Sequence, residues 1–246
     1  MNSKQSKIII AIPVYNEEVM LDQTMKTLLN FCEKNLEDYD WRVVIADNNS
    51  TDRTAEIARK LEKESSGKII YKFIPQKGKG LAIRESWKSS DADIYCFMDA
   101  DLATDLSVLP SLIKSIEGGY DLVIGSRFAK GSSAKRPIIR KITSKIFSLI
   151  TRLMFGLKIK DYPCGFKAVN KNVIKNVLPD VKNDQFLFDT ELVIRSAKKG
   201  LRIKEIPVIW QDRDRNKSKS RVNILKVTKE YLRELLKLRK DIHPVK

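Results

Sequence analysis

Three aspartates fall within seven residues of the stretch "DIYCFMDADLATD" (93–105): Asp99, Asp101 and Asp105 directly follow an apolar run. Carboxylates at such a point either solvate a turn or hold something cationic. The spacing of Asp99 and Asp101 suits a hard divalent ion such as Mg²⁺ or Mn²⁺, which keeps waters and takes further ligands from substrate phosphates. Alone, the pair reads equally as an acidic turn. Other polar groups stand in the same kind of place: Tyr15, Asn16 and Glu17 after one apolar run, and Asp47 after another. Gly78 and Gly80 in "QKGKGLAIRE" precede a helix start, where backbone N–H groups could meet an anion. No Lys-Ser or Lys-Thr follows them, so this is no Walker loop, and by itself a turn explains it. Arg127 closes a further run, placed to clamp a phosphate or to lie on the surface. His243, near the C-terminal end, is the sole histidine, which argues against histidine triads and histidine metal sites.

These groups gain meaning from the elements that must carry them. Apolar, β-branched runs at 7–15, 41–48, 68–75, 93–99 and 121–128 read as buried strands. Helices fall between them at 17–35, from the capping residues Ser50, Thr51 and Asp52 onward, at about 80–89, and around 105–117. Strands alternating with single helices predict a doubly wound α/β fold with a mostly parallel sheet, whose ligands lie beyond the carboxyl ends of the strands. Three such ends here carry chemistry-capable residues. One acidic turn would be noise; three on one edge predict a site.

Composition narrows the class. With 246 residues, 42% hydrophobic and 32% charged, the chain is globular and long enough for one full α/β domain or two small ones. Cys32, Cys96 and Cys164 are too scattered for a zinc site or a disulfide framework and point to a reducing compartment. The net charge of +16 is concentrated: residues 127–160 carry +10 without an acid and residues 195–246 carry +11, leaving −5 elsewhere. Such asymmetry calls for an anionic partner, nucleic acid or lipid. Residues 138–155 form a basic amphipathic helix, with Ile142, Ile146, Leu149 and Leu153 on one face and Lys141, Ser144, Lys145 and Ser148 on the other; 222–240 repeat the theme. Basic residues are interleaved with aliphatics more than with stacking aromatics, which favours lipid over nucleic acid. No window is long and uncharged enough to span a bilayer, so membrane attachment is expected to be peripheral.

Taken in order, "IPVYNE", "ADNNSTD", "KGKGLAIRE", "MDADL" and "GSR" resemble the family 2 glycosyltransferases, inverting enzymes of the GT-A fold. "DYPCGFKAV" (161–169), "FDTEL" (188–192) and "WQDRDRNKSKSRV" (210–222) are similar to the polyprenyl-phosphate (dolichyl-phosphate) mannosyl- and glucosyltransferases. The resemblance covers roughly residues 7–225. It implies a GT-A domain over 1–221, with an interfacial helix at about 137–156, followed by a C-terminal helix and tail over 222–246. Pro13, Tyr15, Asn16, Glu17, Asp47, Lys79, Asp99, Lys217 and Lys219 would then meet the nucleotide sugar. Asp99 and Asp101 would hold Mg²⁺ or Mn²⁺, and Arg127, Arg140 and Ser144 the acceptor phosphate. Asp101, Arg127, Asp189 and Glu191 would carry the chemistry.

The implied reaction moves glucose or mannose from a nucleoside-diphosphate sugar to a polyprenyl phosphate on the cytoplasmic face of a membrane, with a transmembrane partner possible and no nucleic acid involved. Asn48 stands where the family often has a second aspartate, which leaves that carboxylate's role unfilled. A hydroxyl acceptor, with Asp189 or Glu191 as base, is the enzymatic alternative. A basic nucleic-acid-binding protein and an inactive sugar-nucleotide sensor are alternatives of other classes.

Overall fold

The computed structural model describes residues 5–135, 138–211 and 224–242. All five expected strands form: β1 (Lys7–Val14), β2 (Asp40–Asp47), β3 (Ile69–Phe73), β4 (Ile94–Met98) and β5 (Leu122–Ser126). Between them lie α1 (Leu21–Asn35), α2 (Thr54–Glu64), α3 (Lys79–Lys88) and α4 (Leu109–Glu117). β1 and β4 are buried on both faces, as their unbroken apolar runs require of central parallel strands. α1 begins four residues later than its apolar periodicity suggests, because residues 16–18 are engaged elsewhere. Asn16, Glu17 and Glu18 donate their backbone N–H groups to Ser50, Thr54 and Asp52 respectively. The Glu17 carbonyl then opens the helix by accepting from Met20 and Leu21.

Beyond residue 126 the chain builds β6 (Ser133–Lys135), α5 (Ile138–Phe155), β7 (Phe166–Asn170), α6 (Lys171–Asn176), α7 (Phe188–Lys198), β8 (Ile203–Pro207), β9 (Ile209–Gln211) and α8 (Ile224–Ile242). The main sheet runs β3-β2-β1-β4-β7-β5-β8, and β6 pairs with β9 beside it. Every pairing in the main sheet is parallel except those of β7, which lies antiparallel between β4 and β5. Alternation of strands and helices does not foretell that insertion. Its register, Met98 opposite Phe166, sets the start of β7 beside the end of β4.

A second close approach fixes α3 against α7. Phe188 is buried against Trp87, which also packs on Phe97 and donates its indole N–H to the Cys96 carbonyl. A Cβ on Gly80 would lie 2.4 Å from the Phe188 Cβ, so any larger residue would push the helices apart. Glycine at 80 lets its neighbour Lys79 reach across to α7.

α5 packs with the opposite polarity from a core helix. Ser148, Thr151 and Phe155 are buried, while Ile142, Ile146, Leu149 and Leu153 are 50–76% exposed. α8 lies against it through Phe147 and Tyr231, whose ring centroids are 4.8 Å apart. Leu235 and Leu238 are buried in the same core as the sheet, so α8 packs against the domain. Among the described residues, no helix is long and apolar enough to cross a membrane.

Candidate active site

The carboxyl ends of β1, β2 and β4 lie side by side on one edge of the sheet, and the residues that follow them have unequal tasks. Asp47, at the end of β2, is fully buried; its carboxylate accepts from the Ser50 N–H and the Tyr71 hydroxyl, both at 2.9 Å. Burial and that bond push the Tyr71 phenol up to about 12. Asn16 adopts a left-handed conformation (φ 55°) and bonds Thr51 through both ends of its amide. Tyr15 is 42% exposed, with the Lys77 ammonium 2.8 Å from its hydroxyl and over its ring. Pro13 lies within β1, opposite Ala46.

Asn48 has a task that its departure from the family pattern did not reveal. Its side-chain oxygen accepts from the Gly78 N–H at 2.8 Å, and the Leu81 N–H is taken by the Asp184 carbonyl. These two bonds tie the start of α3 in place and use N–H groups that an anion would otherwise meet.

The centre of the site is a chain of alternating charges. Lys79, the first residue of α3, lies 2.8 Å from Asp99 Oδ1 and 3.2 Å from Asp189 Oδ2. Burial opposes the ammonium charge, but Asp189 and then Asp99 outweigh it and hold the pKa of Lys79 above the ordinary lysine value. Asp189 is buried in the first turn of α7; its Oδ1 makes no hydrogen bond among the described residues and faces the Lys167 ammonium at 4.0 Å. Lys167 enters from β7, fully buried, and donates to the carbonyls of Tyr162 and Cys164. Burial holds its pKa below the usual lysine value despite Asp189.

Asp99 is half-exposed, and Gly165 lies against it: a Cβ there would come within 2.2 Å of Asp99 Oδ2. Lys167 thus fixes the loop on which Asp99 rests. Asp101 accepts from the Ala103 N–H at 3.1 Å, and Leu102 between them adopts φ 47° to make the turn.

These residues fit a divalent cation. A lysine ammonium already rests on Asp99, so the position favours positive charge, and Asp101 lies two residues on. Among the described residues no three acids, cysteines or histidines converge into a closed cage. Asp99 and Asp101 would then give two carboxylates, the pattern of a hard ion completed by phosphate and water.

Three expected site residues stand in surroundings that the sequence did not foretell. Arg127 grips the fully buried Asp161 through Nε and Nη2 at 2.8 and 2.7 Å, and its backbone N–H bonds the same carboxylate. Burial disfavours the guanidinium charge, but Asp161 outweighs it and raises its pKa. Glu191, two residues after Asp189 in "FDTEL", points elsewhere because such positions lie about 200° apart around a helix. Its oxygens accept from the Lys182 and Asn183 N–H groups and from Arg195, so it holds a loop. Ser144 lies on the inward side of α5, half-buried, and not among the outward polar residues. Lys217, Lys219 and His243 lie outside the described residues, as does the side chain of Arg140.

Asp161 and Lys167 were missed as site-builders, although both lie in the quoted "DYPCGFKAV". Charges within a segment that is otherwise apolar enough to be buried were the available signal.

Comparison with known structures defines the class. The chain superposes on glucosyl-3-phosphoglycerate synthase from Mycobacterium tuberculosis, solved with Mn²⁺, UDP and glucosyl-3-phosphoglycerate, with a TM-score of 0.68. The match covers 98% of this chain and 81% of that one at 16% identity, and shows a GT-A fold. Residues 9–178 match Glycosyl transferase family 2, and the chain belongs to that family. It is 32% identical over 237 residues to dolichol-phosphate mannosyltransferase of Pyrococcus furiosus, covering 95% of this chain and 64% of that protein. Against glycosyltransferase AglD of Haloferax volcanii the identity is 28% over 228 residues, covering 92% of this chain and 36% of the relative. Dolichyl-phosphate beta-glucosyltransferase of Saccharomyces cerevisiae is 30% identical over 244 residues, with coverages of 91% and 72%. The chain thus spans just under two thirds of the Pyrococcus relative and about a third of the Haloferax one.

Proposed function

We propose that the protein transfers a hexose, glucose or mannose, from a nucleoside-diphosphate sugar to a polyprenyl phosphate at a membrane surface. The observation that carries this reading is the inverted packing of α5. A soluble enzyme has no reason to bury Ser148 and Thr151 while presenting four large aliphatic side chains to water beside exposed Lys141, Lys145 and Arg152. Immersing these half-exposed side chains would contribute about 1 kcal/mol each, and each basic residue near anionic lipid about 1 kcal/mol more. Together these suffice for reversible attachment and would bring the acceptor's phosphate to the domain. The names of the dolichol-type relatives agree with that acceptor.

Tyr15, Asn16 and Asp47 would receive the nucleoside, and Lys79 would meet the diphosphate. Asp99 and Asp101 would hold Mg²⁺ or Mn²⁺, which when bound would neutralise the departing diphosphate. A lipid phosphate is ionised at neutral pH and needs no general base, so positioning and charge stabilisation are sufficient for attack. Direct displacement by that oxygen inverts the anomeric centre. Arg127, tied to Asp161, would shape the acceptor side rather than grip the phosphate itself. Three buried free thiols agree with a reducing compartment, the cytoplasmic face.

A transfer assay tests the reading: UDP-glucose and GDP-mannose offered in parallel, with Mg²⁺ or Mn²⁺, to a short polyprenyl phosphate in detergent. Glycolipid from one donor is expected. Transfer to a soluble sugar hydroxyl, with none to the lipid phosphate, would overturn it.

A further inference from the structure

We propose that Lys79 is a placeholder for the cation: it occupies Asp99 before the donor binds and releases that carboxylate when a diphosphate arrives. The inference rests on the reading that Asp99 and Asp101 take a divalent ion. Its basis is the inequality of the two partners of Lys79. The Asp189 side chain is 5% exposed and the Asp99 side chain 50%. The bond to Asp189 is sheltered from water and lasting, whereas the bond to Asp99 faces solvent and can be exchanged. Lys79 follows Gly78 at the very start of α3, so its side chain can swing without disturbing the helix.

Charge supplies the coupling. Lys167 also faces Asp189, so two ammonium groups already share one buried carboxylate. A cation binding alone must displace Lys79 from Asp99 and leave that ammonium beside a new positive charge. A diphosphate gives Lys79 a new anionic partner within reach of Asp189. Metal and nucleotide therefore bind with positive cooperativity, and linkage makes the effect reciprocal.

Titration of Mn²⁺, followed by electron paramagnetic resonance of the free ion, tests this in the wild-type protein and in Lys79→Met, with and without UDP. Mn²⁺ alone should bind Lys79→Met about fivefold tighter, the strength of a partly exposed ion pair. UDP at saturating Mn²⁺ should bind it more weakly, and the gain in Mn²⁺ affinity caused by UDP should shrink. Lys79→Arg should retain the wild-type pattern. If Lys79→Met does not fold, Lys79→Gln, whose amide can still donate to Asp189, removes the charge and should show the same rise. Unchanged or weaker binding of Mn²⁺ alone to the folded variant overturns the inference while leaving the metal reading intact. Absence of Mn²⁺ binding by the wild-type protein, with or without UDP, overturns both.

Discussion

Two charged neighbourhoods flank β7, and they are built in opposite ways. On the β5 side, Arg127 and Asp161 form a closed pair, with both guanidinium contacts and a backbone N–H spent on one buried carboxylate. On the β4 side, Lys79 is shared between two carboxylates, one of them half-exposed, and an oxygen of Asp189 is left without a hydrogen bond among the described residues. The first arrangement is sealed from solvent, its two side chains 10% and 0% exposed. The second is incomplete, and an incomplete network beside solvent can accept a ligand. Residue type alone does not distinguish them, since each is an Asp with a cationic partner; the difference lies in which carboxylate faces solvent.

The contrast can be broken from the open side first. Asp101→Ala should abolish metal-dependent binding of the donor and transfer, read by calorimetry and by turnover. It should cost about 1 kcal/mol of stability for its loop hydrogen bond to Ala103, or roughly 2–4 °C in Tm. Retained turnover would remove Asp101 from the metal site. On the closed side, Asp161→Asn should do the reverse. Leaving Arg127 buried without its counter-charge should cost about 3–5 kcal/mol, seen as a lowered denaturation midpoint before any specific effect on nucleotide affinity. A variant of normal stability with selectively weakened acceptor use would show that Arg127 serves the substrate after all.

Two smaller effects sharpen the comparison at the periphery. Ile146→Asp/Leu149→Asp on the outward face of α5 should lower association with anionic liposomes by about thirtyfold or more, with thermal stability unchanged. Liposome binding that survives the change would exclude this face as the anchor. Asp241, on α8, pairs with Lys182 and Arg195, whose hydrogen bonds hold its carboxyl below the ordinary value. A group depressed in the folded state contributes stability above its unfolded pKa and loses it as pH falls through the folded one. The hydrogen-exchange protection of α8, taken relative to the intrinsic amide rate at each pH, should therefore fall selectively below about pH 4 and stay level toward neutrality.

The first half of the fold was legible because each of its strands is an unbroken apolar run ending in polar residues, and β1 and β4 pair as such runs must. Asp99 and Asp101 could be singled out for the same reason: they end a run. What could not be read depends on contacts between distant positions. Lys79 meets Asp189 110 residues away, through a close helix crossing that Gly80 permits. Asp189 and Glu191 looked interchangeable in "FDTEL" until helical geometry sent them to different faces. α5 revealed its amphipathicity but not its orientation, because periodicity shows that two faces differ and not which one meets the protein.

The antiparallel insertion of β7 also bears on how the protein is made. Residues 166–170 bond β4 on one edge and β5 on the other, so the sheet is two separate pieces until they emerge from the ribosome. At usual rates of synthesis, roughly 4–15 s pass between the appearance of residue 98 and that of residue 170. Throughout that interval β4 offers one unpaired edge, fully apolar on both faces, to any neighbouring nascent chain. A ribosome that stalls between these points would hold a template for aggregation, and one that has passed them would hold a nearly closed sheet.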